Sequence, residues 1–379
     1  NQAVVALENG TPPDILFAHR ADYTLQPEWA WRGQLADVSD VIAPYQEEYT
    51  PAALAAAYLY NEQAGDRSYY GVPIEQQALH LHYWRNLVTA AGLDATQIPP
   101  DWEGFWDFWR QAQAIARQTV NPDIYGLGLT LSTQGSDTYY FFEQVLDAYD
   151  VELFDPQGNF RGGEPGVRDQ LIEVLTWTTQ FYAENYVPKD AVTWLDSDNN
   201  VKFLNQEMLM TPNPSLSIPA SQREETELYF EHIATTGWPQ EPDGEPVTHL
   251  VTIKQAIIFA EASNPTAAKD FLRYFIEPAR LNEYVKGSLG RWFPVTESAL
   301  KDPFWSEPSD PHRAIAVQQY TQSPTRPFYH AVNAAYSQVQ AENVWGQAIG
   351  HVVIDGWSPE QAVDEAIAQI QKILAEWGD

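Results

Sequence analysis

The strongest constraint in this sequence is an alternation: short apolar runs that stop at polar loops take turns with amphipathic helical patterns. Residues 11–23, TPPDILFAHRADY, set the type. A Pro12-Pro13 turn leads into an apolar run over 15–18, read as a short buried strand, and then into a loop carrying His19, Arg20 and Asp22. A strand ending abruptly at such a loop is what the ligand edge of an α/β sheet looks like. The plainer reading is Asp14 capping a turn ahead of a solvated loop. Residues 125–131 likewise break into the polar loop 132–138, STQGSDT, with a helix from 139 to 148. Residues 208–211 run into Pro212-Asn213-Pro214-Ser215, and 247–260 are strand-rich. Alternation of this kind argues α/β layers with parallel sheets. The two clusters of elements lack a flexible linker, and there are no repeats.

The helices carry their own start signals. Thr50-Pro51 supplies an N-cap and a proline at the first helical position. Over 101–117, Phe105, Phe108, Trp109, Ala112 and Ile115-Ala116 recur at spacings of three and four, an aromatic stripe read as core rather than cofactor box. Ser358-Pro359-Glu360-Gln361 is a capping box that launches a last helix with one apolar face, Ala362 to Leu374. A helix near residues 3–7, stopping at Gly10, suggests a strand ahead of residue 1.

At 379 residues the chain is long for a single core, so two domains are expected. Its formal charge of −31 repels phosphate backbones and anionic lipid, which argues against nucleic-acid binding. It has no cysteine, hence no disulfide, thiolate metal site or cysteine nucleophile. No apolar run approaches the roughly 20 residues that span a bilayer. No GxSxG, HExxH, P-loop or Gly-rich dinucleotide turn is present. Asp196, Asp198, Asn200 and Glu207 mimic a calcium-loop spacing, but Val201 stands where the turn requires Gly. His80 and His82 lie two apart on one strand face, without a third zinc ligand. No metal and no cofactor is expected.

Six segments, in order from about residue 10 to 375, resemble the extracellular solute-binding proteins of ABC importers, family 1, the maltose-binding-protein-like group. They are TPPDILFA, YYGVPIEQQALHLHYWRNLVTAAGL, PPDWEGFWDFWRQAQAIA, FLNQEMLMTPN, SNPTAAKDFLRYFIEPARLNEYV and WSPEQAVDEAIAQIQKIL. Asp101 replaces the usual Thr of the third and Gln206 the usual Gly of the fourth. The resemblance implies a two-lobed periplasmic-binding-protein fold, type II-like, with a hinge of crossover strands and a ligand cleft between the lobes. It implies a first lobe of 1–77 plus 254–297, its first strand preceding residue 1, and a second lobe of 78–253 plus 298–379.

The same resemblance implies a site. The first lobe would contribute His19, Arg20 and Asp22, the crossover amides Gln76 and Gln77, and Arg291-Trp292 near the hinge. The second would contribute the loop residues Gln134, Ser136, Asp137 and Thr138, and the turn residues Asn213 and Ser215, where some relatives carry a stacking Trp. Trp194 is expected to supply an aromatic face in its stead, and Trp345 to stack on the ligand. Sugars need aromatic faces for their C–H faces and planar polar groups for their hydroxyls. The implied function is capture of a mono- or disaccharide or glycoside and its delivery to a membrane permease, by a monomer without catalytic residues. Its location would be periplasmic or extracellular, with anchoring through a removed N-terminal segment as a finer expectation. The competing reading is a glycoside hydrolase, in which two carboxyl groups would meet in the cleft.

Overall fold

The structure is a computed structural model that describes residues 2–378. Two sheets organise it. The first runs Val72–Ala78, His249–Ala256, Thr325–Pro327; the second runs Tyr125–Leu127, Met208–Asn213, His80–Trp84, Ile233–Thr236. A two-stranded ribbon, Tyr58–Asn61 with Asp66–Tyr69, stands apart. The sheets are mixed, not parallel as the alternation suggests. Val72–Ala78 runs antiparallel to His249–Ala256, and His80–Trp84 antiparallel to both its neighbours. Only the pairs closing each sheet, Tyr125–Leu127 on Met208–Asn213 and His249–Ala256 on Thr325–Pro327, are parallel. The reversals fall on strands that cross between the sheets, and such strands need no helical return to pair antiparallel.

The crossing itself is short. Leu79 alone separates Val72–Ala78 from His80–Trp84, so one extended run serves both sheets. Its carbonyl accepts from Trp238 Nε1 at 2.9 Å and Gln319 Nε2 at 2.9 Å, which fixes the backbone where it changes sheets. The chain crosses again over 237–248 and once more beyond Thr325–Pro327. Around the second sheet, the helix Trp102–Thr119 buries Trp102, Phe105, Trp106 and Trp109, as its stripe predicts. Asp101 caps it, accepting the Gly104 N–H at 2.8 Å. The helix Pro359–Gly378 adds Val363, Ile367 and Ile370 to the same core. At its start Ser358 and Gln361 exchange two bonds, at 3.2 and 3.3 Å, a capping box worth about 1 kcal/mol.

The first sheet has its own core, including Val41, Val72, Ile253 and Phe293. Leu300, Trp305, Val317 and Tyr320 pack into it, so 297–321 is buried against the first sheet. Three local expectations change. Residues 15–18 form no buried strand: Leu16 alone bridges to Ile257, and Phe17 is 44% exposed. The strand expected over 125–131 is three residues long, Tyr125–Leu127. The helix after it is Ser136–Ala148, which takes Ser136, Asp137 and Thr138 out of the loop and into a first turn.

Candidate functional site

A cavity of about 450 Å³ opens between the two sheets, a size that suits a small ligand. The first-sheet strands bring Gln77 and Thr252 to it, opposite each other in register. Gln77 lines the cavity, and its side-chain amide makes no hydrogen bond among the described residues, so its donor and acceptor are both unengaged. His19 and Tyr23 line it from the loop after Leu16, and Arg291 and Trp292 from the segment 287–293. That segment is braced. Ser288 Oγ donates to the Trp292 carbonyl and accepts its N–H, both at 3.1 Å. Phe293 exchanges two backbone bonds with Gln76, each 2.8 Å. Gly290 has φ +91°, and a Cβ there would lie 2.6 Å from Arg313 Cγ. Trp292 is therefore presented to the cavity half-buried and held at its base.

Behind this wall lies a buried ion pair. Lys254 Nζ sits 3.4 Å from both carboxylate oxygens of Asp22 and 3.2 Å from His19 Nδ1. It lies 5.4 Å from the ring centres of both Tyr23 and Trp292. Burial raises the Asp22 carboxyl above its ordinary range, with Lys254 pulling it back. Burial pushes Glu75, opposite Lys254 in register, up to about 7. His19 is pushed down to about 4, by desolvation first and the Lys254 charge second, so Nδ1 accepts from Lys254. Asp22 thus orients the ammonium rather than lining the cavity.

The second wall is a helix end. Gly135 gives the helix Ser136–Ala148 no capping side chain, and Asp196 supplies one from sixty residues away. Its Oδ1 accepts the Ser136 N–H at 2.5 Å and the Asp137 N–H at 3.3 Å, and its Oδ2 accepts the Ser136 hydroxyl at 2.8 Å. A carboxylate is stabilised at a helix N-terminus. Arg20, at a left-handed φ of 71°, reaches across from the first wall to Asp196 and to Ser136 Oγ, the latter at 3.1 Å. With 45% and 33% of the two side chains exposed, that pair is worth about 0.2–1 kcal/mol. Asp137 is buried beside Asp196, and desolvation first, then that neighbour, lifts its carboxyl well above the usual range. Asn213 and Ser215 line the floor; Asn213 Nδ2 donates to the Ser215 carbonyl at 2.6 Å and Ser217 Oγ at 3.0 Å, leaving its Oδ1 free to accept.

Of the expected site residues, the cavity gathers His19, Gln77, Ser136, Asp137, Asn213, Ser215, Arg291 and Trp292, with Arg20 and Asp22 in contact behind them. The others are placed elsewhere. Gln76 points away and donates to the Pro294 carbonyl at 2.6 Å. Thr138 is turned inward onto the Ser132 carbonyl at 2.7 Å, and Gln134 is exposed outside the cavity. Trp345 does not face the cleft: it is 1% exposed, packs on Phe142 at 5.0 Å and donates to Tyr336 Oη at 2.9 Å. Trp194 is 2% exposed in the same core. The calcium-like set disperses: Asp196 caps the helix, Asp198 accepts the Leu195 N–H, and Glu207 pairs with Lys202. His80 and His82 are buried on Gln319 and Thr235.

The sequence reading missed Tyr23, Tyr139, Asp196, Thr252 and Phe328 in the lining. Tyr23 ends the segment 11–23 and Tyr139 directly follows the loop 132–138, and that adjacency is the available signal. It also missed Tyr140, whose hydroxyl shares its one proton between the Gln77 and Leu250 carbonyls (3.1 and 3.2 Å) and accepts the Thr252 N–H (3.2 Å). That tyrosine ties the second-wall helix to the crossing strands.

The model of the bacterial extracellular solute-binding proteins matches residues 1–314. No curated protein matches by sequence. Among solved structures, the chain is similar to an ABC transporter solute-binding protein from Thermotoga lettingae bound with α-D-tagatose, at 18% identity, TM-score 0.76, covering 98% of this chain and 88% of that one. It is similar to maltose-bound MalE3 from T. maritima, at 18% identity, TM-score 0.76, covering 98% and 87%. It is also similar to UgpB from Mycobacterium tuberculosis in complex with glycerophosphocholine, at 16% identity, TM-score 0.73, covering 99% and 87%. These are binding proteins, not enzymes, and they share the two-lobed α/β architecture. The chain belongs to the bacterial extracellular solute-binding proteins.

Proposed function

We propose that this protein is the solute-binding component of an ABC importer, which captures a small carbohydrate or glycoside between its lobes and delivers it to membrane permease subunits. The observation that carries the reading is the cavity itself. The half-buried Trp292 offers an aromatic face, and the unpaired amide of Gln77 on the first wall and the free Oδ1 of Asn213 on the floor offer planar polar groups. That is the combination a sugar requires. The tagatose, maltose and glycerophosphocholine held by similar structures support a polyhydroxylated ligand. His19, Ser136 and Ser215 complete the proposed contacts, and no residue is assigned a catalytic role.

The proposed cycle is capture on one wall, closure about the crossing strands with formation of the Arg20–Asp196 pair, and docking of the closed form on the permease. The lobes divide near Leu79, and the packing of Leu300, Trp305 and Tyr320 supports grouping 298–321 with the first lobe, not the second. The family is extracellular or periplasmic; among the described residues no helix is long and apolar enough to cross a membrane. Action as a monomer and anchoring through a preceding segment are part of the proposal. A thermal-shift panel of mono- and disaccharides and glycosides, with product analysis of each mixture, tests it. Melting that rises with a saccharide recovered intact supports capture. Release of product from a glycoside, or shifts with amino acids or polyamines only, overturns it.

A further inference from the structure

The cavity holds one cation with no counterpart. The chain has 21 lysine and arginine side chains against 52 acidic ones, so a basic group should find a partner almost anywhere. Among the described residues all but one do. Even outlying cases are engaged: Arg85 with the Phe230 carbonyl, Arg117 with the Ile124 carbonyl, Lys189 with the Tyr182 carbonyl, Lys301 with Glu297 and Lys372 with Glu376. The exception is Arg291, whose guanidinium makes neither a hydrogen bond nor an ion pair with the described residues, and it lines the cavity beside Trp292. The position is built rather than loose, because Gly290, Ser288 and the Gln76–Phe293 bonds fix the segment on either side.

The neighbouring acids do not answer it. Asp22 is committed to Lys254 and Asp196 to Arg20 and the helix end. Asp137 accepts from Asn199 Nδ2 at 3.4 Å, and desolvation raises its carboxyl well above the usual range; Glu75, pushed up to about 7 for the same reason, does not line the cavity. His19, on the same wall, is neutral. In a protein of charge −31, the cleft is therefore locally cationic at the Arg291 fork, which is suited to bidentate recognition of a carboxylate or phosphate.

We propose that the ligand is an anionic polyhydroxylated molecule, a uronate-type sugar or a phosphate ester of a polyol, whose anionic group is seated against Arg291 while Trp292 covers its carbon skeleton. This rests on the carbohydrate-capture reading above and narrows its substrate class.

Isothermal titration of the full chain decides it with matched probes: glucose against glucuronate, galactose against galacturonate, and glycerol against glycerol 3-phosphate and glycerophosphocholine, each at low and high salt. The expected result is that one anionic probe binds at least tenfold tighter than its neutral partner, that the gap narrows as salt rises, that Arg291→Gln abolishes the gap, and that Arg291→Lys restores part of it. The uronate and phosphate arms separate the two sources of charge. Melting of each variant is measured alongside to show that it folds. Neutral sugars that bind as tightly as their anionic partners, or an anion preference that survives Arg291→Gln, overturn the inference while leaving carbohydrate capture standing. If no probe, neutral or anionic, binds, the carbohydrate reading falls and this inference with it.

Discussion

The two walls of the cleft are held in place by opposite means. On the first wall, polar side chains stand on a buried ion pair: Lys254 and Asp22 are 4% and 3% exposed, with Glu75 and His19 around them. On the second, the polar groups hang from a helix end, and the single carboxylate serving it, Asp196, is one-third exposed. Burying charge is costly and tolerates no loss of a partner, whereas a capped helix end loses little when one partner goes. The first wall is therefore the more rigid platform and the second the more adjustable one, which suits the proposed closure, with Arg20 bridging from the platform to the helix end.

That contrast can be broken most sharply away from both walls' surfaces. Trp345→Ala empties the core beneath the second wall and is expected to cost about 3–5 kcal/mol in chemical denaturation while leaving ligand affinity of the folded protein unchanged. A loss of affinity without loss of stability would return Trp345 to the site. Next, Lys254→Met strands Asp22 and is expected to cost a similar or slightly smaller amount, about 3 kcal/mol, most of it recovered in Lys254→Met/Asp22→Asn. If the double variant is no more stable than the single, the platform does not depend on the pair.

Asp196→Ala removes both the cap and the partner of Arg20, for about 1 kcal/mol; Arg20→Ala removes only the ion pair and is expected to cost less, within about 0.2–1 kcal/mol. Equal losses in thermal unfolding would mean that the helix end is not what Asp196 serves. A pH series gives a separate test, with an effect expected to reach about 3 kcal/mol above pH 7. The folded state raises the Glu75 carboxyl from 4.5 to about 7, so between those values the native protein holds a proton that the unfolded chain has lost, and stability falls as pH rises. Glu75→Gln should therefore gain on the wild type progressively from pH 4.5 to about 7 and hold a constant lead above it. A lead that shrinks over that window would show Glu75 to be ionised and stabilising.

What could be read from the sequence, and what could not, follows the same division. Local signals survived folding: Asp101 caps its helix, Ser358 and Gln361 form their box, and the stripe from Phe105 to Ala116 is core. Of the site, Gln77 was legible because it sits at the crossing and Asn213 because it ends a strand, whereas His19 was legible from its polar loop after an apolar run and Trp292 from the family resemblance. The start of the helix Ser136–Ala148 was not, because its cap, Asp196, is supplied from a distant segment and leaves Gly135 without a local signature. The Arg20–Asp196 contact spans 176 residues and has no trace in either neighbourhood. Trp345 and Trp194 misled for another reason: a tryptophan's size serves a core and a sugar platform equally well, and only the surroundings decide. Trp345 found Phe142 and Tyr336, while Trp292 found an open cavity.

Titration calorimetry of Trp292→Ala against wild type, with whichever saccharide shifts melting most, tests that last distinction most directly. The expected result is at least a tenfold loss of affinity, roughly 1.4 kcal/mol, with a smaller fall in stability than Trp345→Ala produces. Unchanged affinity in a folded Trp292→Ala protein would contradict it and put the ligand elsewhere than between these two walls.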